Sequence, residues 1–498
     1  MRKRLRVIVF VVASLLVMAG AALAESIFVD RTSQNSLENG SATAPFKTIT
    51  QALKRAREIR FLQPSTAEII VHVAAGTYVG SFETPTPAGM ETLPLLLNIP
   101  RVRLEGALRF DPTFDMVVPG TQTIVRAFAA QAGKQHMLVV TRTNPIPSPV
   151  SPFPPSLEMA GDSVIISGFL LDGAAGATAV DAPSAEQSAL IFLDGVNGFI
   201  VRDSVLTGAN VFGISTRLSS GRIEHNSITG NRGVGLNITG GSMKFPATIV
   251  ITRNRVTNNG LGGLGLQGAA QTEGDLASLF AAQAFRRVPL PEFFDWTHRP
   301  EEVPDKLDAT ITNNVFSNNT NGSTTNPRGF GIRVNGYLRD NYRLHPLDPE
   351  RLIAFVRARF VSNVCRLNGN YGVVVDAGQV QTSNSRKHVV NFDVSFEDTT
   401  VAENGSGNAF FGFSRFSTSV SQDEASKVNF KFAHDSTMRI CSDIGEFNFD
   451  NSATDPVDQT PTNNVLTVNR TPLQALCVPR VNSCVRALTP AEAAVDCK

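Results

Sequence analysis

One short pattern recurs along the middle of the chain and restricts its fold more than any other feature. It reads Asp203-Ser-Val-Leu-Thr-Gly208, Asn226-Ser-Ile-Thr-Gly-Asn231, Asn254-Arg-Val-Thr-Asn-Asn259, Asn314-Val-Phe-Ser-Asn-Asn319 and Asn363-Val-Cys-Arg-Leu-Asn368, with a degenerate copy at Thr399-Thr-Val-Ala-Glu-Asn404. Each copy has a polar turn residue, an apolar residue two positions on, and Asn or Gly three after that. A Gly-containing turn and a second strand follow: Gly213-Ile-Ser, Gly235-Leu-Asn-Ile, Gly265-Leu-Gln, Gly331-Ile-Arg-Val and Gly372-Val-Val-Val.

Self-similarity of this kind marks a solenoid. A set of short strands cannot bury its apolar face alone. Stacked at about 4.8 Å, successive coils supply each other's backbone hydrogen bonds and a continuous core. Asn at a bend tolerates left-handed backbone, and its amide can bond the Asn of the next coil. Gly at a bend allows positive φ. A sandwich or propeller has no reason to place Asn at fixed offsets. The fold class expected is therefore all-β: a single-stranded right-handed parallel β-helix. Cys365 occupies the column of Val205, Ile228, Val256, Phe316 and Val401, and is expected to face the core.

The N-terminal part reads as a cap. Ser26-Ile-Phe-Val-Asp30 is a strand. Thr48 is placed to cap a helix with Ile49, Ala52, Leu53 and Ala56 on one face. Ile69 to Val73 then leads into Gly76-Thr77-Tyr78. The residues Val29, Asp30, Pro45, Phe46, Lys47, Thr48, Ile49, Ala52, Leu53, Ala56, Gly76, Thr77 and Tyr78 carry a resemblance. This stretch resembles the N-terminal part of the pectate-lyase-like right-handed β-helix superfamily, in the branch named for a domain of unknown function. With the Asn-rich coils the resemblance spans roughly residues 26 to 415. It implies fold more than function, because the motif builds the cap and first coils.

The first residues resemble an export signal. Arg2, Lys3, Arg4 and Arg6 precede an apolar run from Val7 to Ala22, and Ala22-Leu23-Ala24 suits cleavage after Ala24. The expected location is secreted, periplasmic or on the cell surface, with no membrane span once the signal is removed. The whole chain has 45 Lys+Arg and 44 Asp+Glu; without the four bases of the signal, 41 stand against 44, a net charge of −3. That is too neutral for a general nucleic-acid binder. Four of the five Cys lie near the C-terminus: Cys441, Cys477, Cys484 and Cys497. In an exported chain they are candidates for two disulfides of unspecified connectivity. No CxxC occurs and no His neighbours them, so a zinc site is not expected.

The expected organisation is a signal peptide over 1–24, N-terminal cap and first coils over 25–110, an irregular Pro-rich excursion over 111–163, coils over 164–415 and a Cys-containing C-terminal cap over 416–498. Bend spacings along 203, 226, 254, 314, 363 and 399 are 23, 28, 60, 49 and 36 residues. The two longest place insertions at 269–309 and 336–357, after the same strand of successive coils. Insertions on one corner wall off one face, often the binding face of a solenoid.

That face is expected to carry two outward columns: Ser215, Asn237, Gln267, Arg333 and Val374, and two residues on, Arg217, Thr239, Ala269, Asn335 and Asp376. Asn, Gln and Arg suit sugar hydroxyls and carboxylates. The first insertion holds Asp295, Trp296 and His298; the second holds Tyr337 and Asp340. Substrate-binding candidates are Asn237, Gln267, Trp296, Asn335 and Tyr337. Catalytic candidates are Arg333, Asp376, Asp295 and His298. His225 reads as a surface residue. A hydrolase of this fold needs paired acids on neighbouring coils, and these columns supply only Asp376. A lyase needs carboxylates around Ca²⁺ and a basic residue, of which Arg333 with Asp376 is a thin version. The function expected is binding of polysaccharide or surface glycan along this groove, with no cofactor. The alternatives are a polysaccharide lyase or glycoside hydrolase acting on acidic glycans, with Ca²⁺ possible if a lyase, and a non-catalytic structural surface protein.

Overall fold

The computed structural model describes residues 24–63, 68–82, 86–111, 116–117, 122–127, 136–141, 163–174, 189–217, 219–240, 247–267, 305–322, 329–335, 351–376, 387–397, 399–405 and 407–412, and five further strands at 427–432, 440–441, 447–450, 465–468 and 484–485. The expected signal peptide, Ala24 apart, and the segment Pro145 to Pro155 lie outside them.

Three long sheets hold almost every described strand. The first has twelve strands, from Glu25–Val29 to Val465–Val468, and the second and third have eleven each. One turn of the chain reads Ser220–Glu224 in the first sheet, Ser227–Thr229 in the second and Val234–Thr239 in the third. The next reads Ala247–Thr252, Arg255–Thr257 and Gly262–Gln267, and each strand pairs in parallel with its counterpart one turn earlier. The fold is a right-handed parallel β-helix. Ile, Val, Leu and Phe stack inside. The second-sheet column runs Leu206, Ile228, Val256, Phe316, Cys365 and Val401, all fully buried. The first member is Leu206, not Val205, because the first copy of the repeat starts one residue later than expected, at Ser204. Burial among these side chains pushes the Cys365 thiol above its usual range.

Two asparagine ladders flank the second sheet. Asn226, Asn254, Asn314 and Asn363 form one; Asn231, Asn259, Asn319, Asn368 and Asn404 form the other. In each step the Oδ1 of one Asn accepts both the backbone N–H and the side-chain N–H of its counterpart a turn earlier, as at Asn259 and Asn319 (both 3.1 Å). The remaining amide hydrogen goes to a backbone carbonyl, such as Ile228 for Asn259. The left-handed residues are not these Asn but the ones just before them: His225 (φ 55), Arg253 (φ 55), Asn313 (φ 57) and Ser362 (φ 54) on one side, and Asn258, Asn318, Leu367 and Glu403 on the other. Among the bend glycines, Gly208 (φ 71) and Gly230 (φ 67) take the positive φ expected. Gly213, Gly235, Gly263 and Gly331 do not adopt positive φ. They are needed for space: a Cβ on Gly235 would lie 2.4 Å from Val256 Cγ1, and one on Gly213 2.6 Å from Ile228 Cγ2.

Helix α1, Ile49–Leu62, begins at Thr48, whose hydroxyl accepts the Gln51 N–H at 3.2 Å. It buries Ile49, Ala52, Leu53, Ala56 and Ile59 against the first strands and closes that end of the core. A second anchor comes from the strand Glu91–Thr92. The buried Glu91 carboxylate accepts the N–H groups of Ile49 and Thr50, each at 2.8 Å, and the Thr50 hydroxyl at 2.7 Å. A negative group at a helix N-terminus meets both free N–H donors and the positive end of the helix dipole. Burial pushes the Glu91 carboxyl above the usual range, against the pull of these hydrogen bonds.

Several expected boundaries move. Within 111–163, Thr123–Ala127 and Leu138–Thr141 are strands of the second and third sheets. The ends of both expected insertions belong to the first sheet, in Asp305–Thr312 and Arg351–Val361. Past residue 415 the parallel stack continues through Lys427–Phe432, Ile440–Cys441, Phe447–Asp450 and Val465–Val468. These strands lack the Asn signature, so the repeat is invisible there while the backbone ladder persists. Cys441 lies in the second sheet and Cys484 in the strand Cys484–Val485, which pairs antiparallel with Phe447–Asp450. Cys477 and Cys497 lie outside the described residues.

Candidate functional site

The outward side of the third sheet carries the candidate site. Inward residues of its strands form the buried column Leu193, Thr216, Ile238, Leu266, Val334 and Val375. Side chains on either side of that column point the other way. The outward columns are Val139, Phe192, Ser215, Asn237, Gly265, Arg333 and Val374, and beside it Asp194, Arg217, Thr239, Gln267, Asn335 and Asp376. Gln267 therefore stands opposite Thr239 and Asn335, one column over from its expected place, and Ala269 is not in either column. The slip has a simple cause. Gly263-Leu-Gly-Leu repeats itself every two residues, and the strand registers on Gly263 rather than Gly265.

The columns change character along the axis. Val139, Ala189 and Phe192, with Leu96 and Phe212 packed on them, make an apolar patch separate from the main core. Polar residues follow. Asn237 Nδ2 donates to Ser215 Oγ at 3.2 Å, and Gln267 Nε2 donates to Asn237 Oδ1 at 3.1 Å. This makes one directed chain over three coils. Asn237 and Ser215 are each 4% exposed, so this part of the face is a covered polar seam rather than the open groove expected. At Gly265 the seam has a gap: an added Cβ would meet nothing nearer than Asn237 Oδ1 at 3.7 Å. Half-buried Arg333 follows one coil on, and the backbones of Asn335 and Asp376 pair in register beside it. Arg333 and Asp376 thus occupy neighbouring columns on adjacent coils. Asp295, Trp296, His298, Tyr337 and Asp340 lie outside the described residues.

A cluster that sequence reasoning missed sits where the apolar patch meets the seam. Arg217 Nε donates to Asp194 Oδ1 at 2.7 Å and Nη2 donates to Asp194 Oδ2, a bidentate pair across adjacent coils. The guanidinium carbon lies 5.7 Å from the centroid of the Phe192 ring. His136 stacks on Phe192 with ring centroids 4.4 Å apart and planes 7° from parallel. The Ala189 N–H donates to His136 Nδ1 at 3.0 Å, which requires that nitrogen to be unprotonated. Burial, reinforced by the Arg217 charge, lowers the His136 pKa to about 4. The signal in the sequence was an acid and a base at the same offset in consecutive strands, Asp194 and Arg217, but their register emerges only from the fold.

His225 belongs to a corner, not to this face. Its Nδ1 lies 2.6 Å from Asp203 Oδ1, and both residues have left-handed backbone.

A family model described as "Periplasmic copper-binding protein (NosD)" matches residues 161–329. Among solved structures, the Azotobacter vinelandii mannuronan C-5 epimerase AlgE4 A-module is similar at 11% identity over 82% of this chain and 89% of that one, with a TM-score of 0.37. Pectate lyase Pel9A is similar at 10% identity over 82% and 79%, TM-score 0.30, and the periplasmic alginate epimerase AlgG at 14% over 72% and 73%, TM-score 0.30. A search of curated proteins gives no match.

Copper sites draw on thiolate, thioether and imidazole donors. Residues 161–329 contain no Cys, one Met, Met243, and two His, His225 and His298. Among the described residues no group of three or more His, Cys, Asp or Glu gathers. The described coils do not fit a copper centre. The chain is a right-handed parallel β-helix protein.

Proposed function

We propose that the protein is an exported β-helix module that binds polysaccharide or surface glycan along the outward face of its third sheet. One observation carries the reading. Polar side chains lie in two adjacent columns, Ser215, Asn237 and Arg333 in one and Arg217, Thr239 and Gln267 in the other; Ser215, Asn237, Arg217 and Thr239 are buried, and half-buried Gln267 and Arg333 on neighbouring coils present the polar ends. A ladder with a fixed rise of about 4.8 Å suits a ligand that itself repeats. The N-terminal basic and apolar stretch supports export, as does the periplasmic description of the family matched.

The test is native affinity electrophoresis of the purified protein in gels containing a neutral β-glucan, a mannan, polygalacturonate or alginate. Retardation by at least one of them, reduced in Gly265→Leu, is the expected result. Uniform mobility in all four sinks the reading. The same mixtures, with and without Ca²⁺, are assayed for unsaturated products and new reducing ends. Either product would replace binding by the lyase or hydrolase alternative, for which the diagonal placement of Arg333 and Asp376 is the supporting observation.

A further inference from the structure

The third sheet has one more outward column, at the start of its strands. Phe212, Val234, Gly262, Phe330 and Tyr371 succeed one another there, one per coil. Phe212 packs on the outward patch of Val139, Ala189 and Phe192, which puts the column on the outer side of the sheet. Phe330 and Tyr371 are half-buried, and Leu261, next to Gly262, is 42% exposed. This part of the face is accessible where the coils of Ser215 and Asn237 are covered. The glycine at 262 decides how the Phe330 ring lies. A Cβ there would fall 2.4 Å from Phe330 Cε2, 2.5 Å from Cζ and 2.7 Å from Cδ2. Three adjacent ring atoms at nearly one distance mean that the ring meets Gly262 with its face, not its edge. One face of the ring is thus spent on bare backbone, and the exposed part of Phe330 belongs to the other face and the rim. The same strand lacks a second outward side chain at Gly265, where a Cβ would meet nothing nearer than 3.7 Å. Beyond that gap stand half-buried Gln267 and Arg333. Phe330 and Arg333 are three residues apart on one strand, about 10 Å at the usual rise. Aromatic rings lie on one side of a glycine floor and polar ends on the other. A pyranose is divided in the same way, with C–H bonds on its faces and hydroxyls around its rim.

We infer that Phe330 and Tyr371 form the stacking platform of the glycan face, and that they select β-1,4-linked pyranoses whose hydroxyls are all equatorial. The inference rests on the proposed glycan reading of this face, and adds to it the contact residues and the class of sugar. The rise between coils, about 4.8 Å, is close to the length of one pyranose unit, so rings on adjacent coils take adjacent units of a chain. In a β-1,4 chain each unit is turned over relative to the last, and opposite sugar faces meet the platform in turn. Only an all-equatorial ring offers unbroken C–H on both faces. An axial hydroxyl, as in the units of mannan, polygalacturonate or alginate, would be pressed against an aromatic ring without a hydrogen-bond partner. Gln267 gives an amide N–H to Asn237 and keeps its side-chain carbonyl to accept from a hydroxyl on the sugar rim.

The test compares wild type with Phe330→Leu, Tyr371→Leu and Phe330→Trp. Leu keeps an apolar cover over the neighbouring backbone while removing the ring, and Trp keeps a ring. Circular dichroism and thermal melts establish that each is folded. Affinity electrophoresis then uses a neutral β-1,4-glucan, a mannan, polygalacturonate and alginate. Wild type is expected to be retarded most by the glucan. Each Leu variant should lose about threefold to tenfold in retention, and Phe330→Trp should keep it. If wild type binds no glycan, the reading of the face and this inference fall together. If wild type binds and both folded Leu variants bind equally well, the face stands and the two rings are packing residues only. Should a Leu variant not fold, Phe330→Trp decides: retention lost in a folded Trp variant overturns the platform. If wild type prefers the mannan, polygalacturonate or alginate to the glucan, the all-equatorial class is overturned.

Discussion

The side-chain carbonyl of Asn314 accepts two hydrogen bonds from Asn254 one coil earlier, from its backbone N–H at 2.8 Å and from its Nδ2 at 3.0 Å. Asn314 in turn donates its own amide hydrogens to Ile251 O at 2.9 Å and Asn363 Oδ1 at 3.0 Å. Asn314→Ala strands donors on one side and acceptors on the other, all without water. The expected loss is about 2–4 kcal/mol, read as a drop in the urea midpoint. Asn314→Asp should also destabilise, since a carboxylate accepts but cannot donate onward. A loss in Asn314→Ala no larger than that of an exposed Ser36→Ala control would show that the ladder contributes little.

Thr216 points into the apolar column between Leu193 and Ile238, is fully buried, and its hydroxyl has no hydrogen-bond partner. Thr216→Val removes an unsatisfied polar group and keeps the shape. A gain of about 1 kcal/mol is expected in denaturant unfolding. A measured loss would mean the hydroxyl is satisfied in solution.

His136 carries a pH prediction. Its folded-state pKa is lowered to about 4 from 6.5. The unfolded chain therefore takes up the proton first as pH falls. The His136 contribution is fully present above about 6.5 and is lost progressively between there and about 4, by about 3 kcal/mol in all. The difference in unfolding free energy between wild type and His136→Phe, followed from pH 7 to pH 4, isolates this residue from the carboxylates. A difference independent of pH would contradict the buried neutral imidazole.

Glu91 holds the start of α1 through Ile49 and Thr50. Glu91→Ala should destabilise by about 2–3 kcal/mol, since it leaves buried helix N–H groups without acceptors. Hydrogen exchange at Ile49, Thr50 and Gln51 should accelerate in the variant. Unchanged exchange there would assign the start of the helix to Thr48 alone.

Gly265 lies in the strand Gly262–Gln267, and a Cβ there would make ordinary contacts, none nearer than 3.7 Å. Gly265→Leu should therefore melt within a few degrees of wild type, yet weaken glycan retention severalfold by filling the gap between Asn237 and Arg333. Unchanged retention in the folded variant would remove the gap from the binding surface.

The repeat is the part of this protein that reads directly from sequence. Asn at fixed offsets, with Ile, Val and Phe between, admits only a stack, because each strand needs an identical neighbour to satisfy its backbone and cover its apolar side. The inward position of Cys365 and the Thr48 cap follow from the same local periodicities. Where periodicity is ambiguous, sequence reasoning slips by one or two residues: at Asp203 against Ser204, and at Gly265 against Gly263. It also stops short where the Asn are lost, past residue 415, although parallel pairing continues.

Which columns stand next to each other, and which donors are spent, was decided by the tertiary structure. Asn237 became part of a covered chain because its neighbours in space are Ser215 and Gln267, residues one coil away and 22 and 30 positions apart in the chain. Asp194 and Arg217 meet because parallel pairing sets coil upon coil in register. Gly213 and Gly235 are required by the side chain of the following coil, not by their own φ. Local sequence sets what a coil is, since helix and strand periods, caps and turn chemistry act within a few residues. Contacts between coils depend on the number of residues each turn consumes, and only the folded stack settles that.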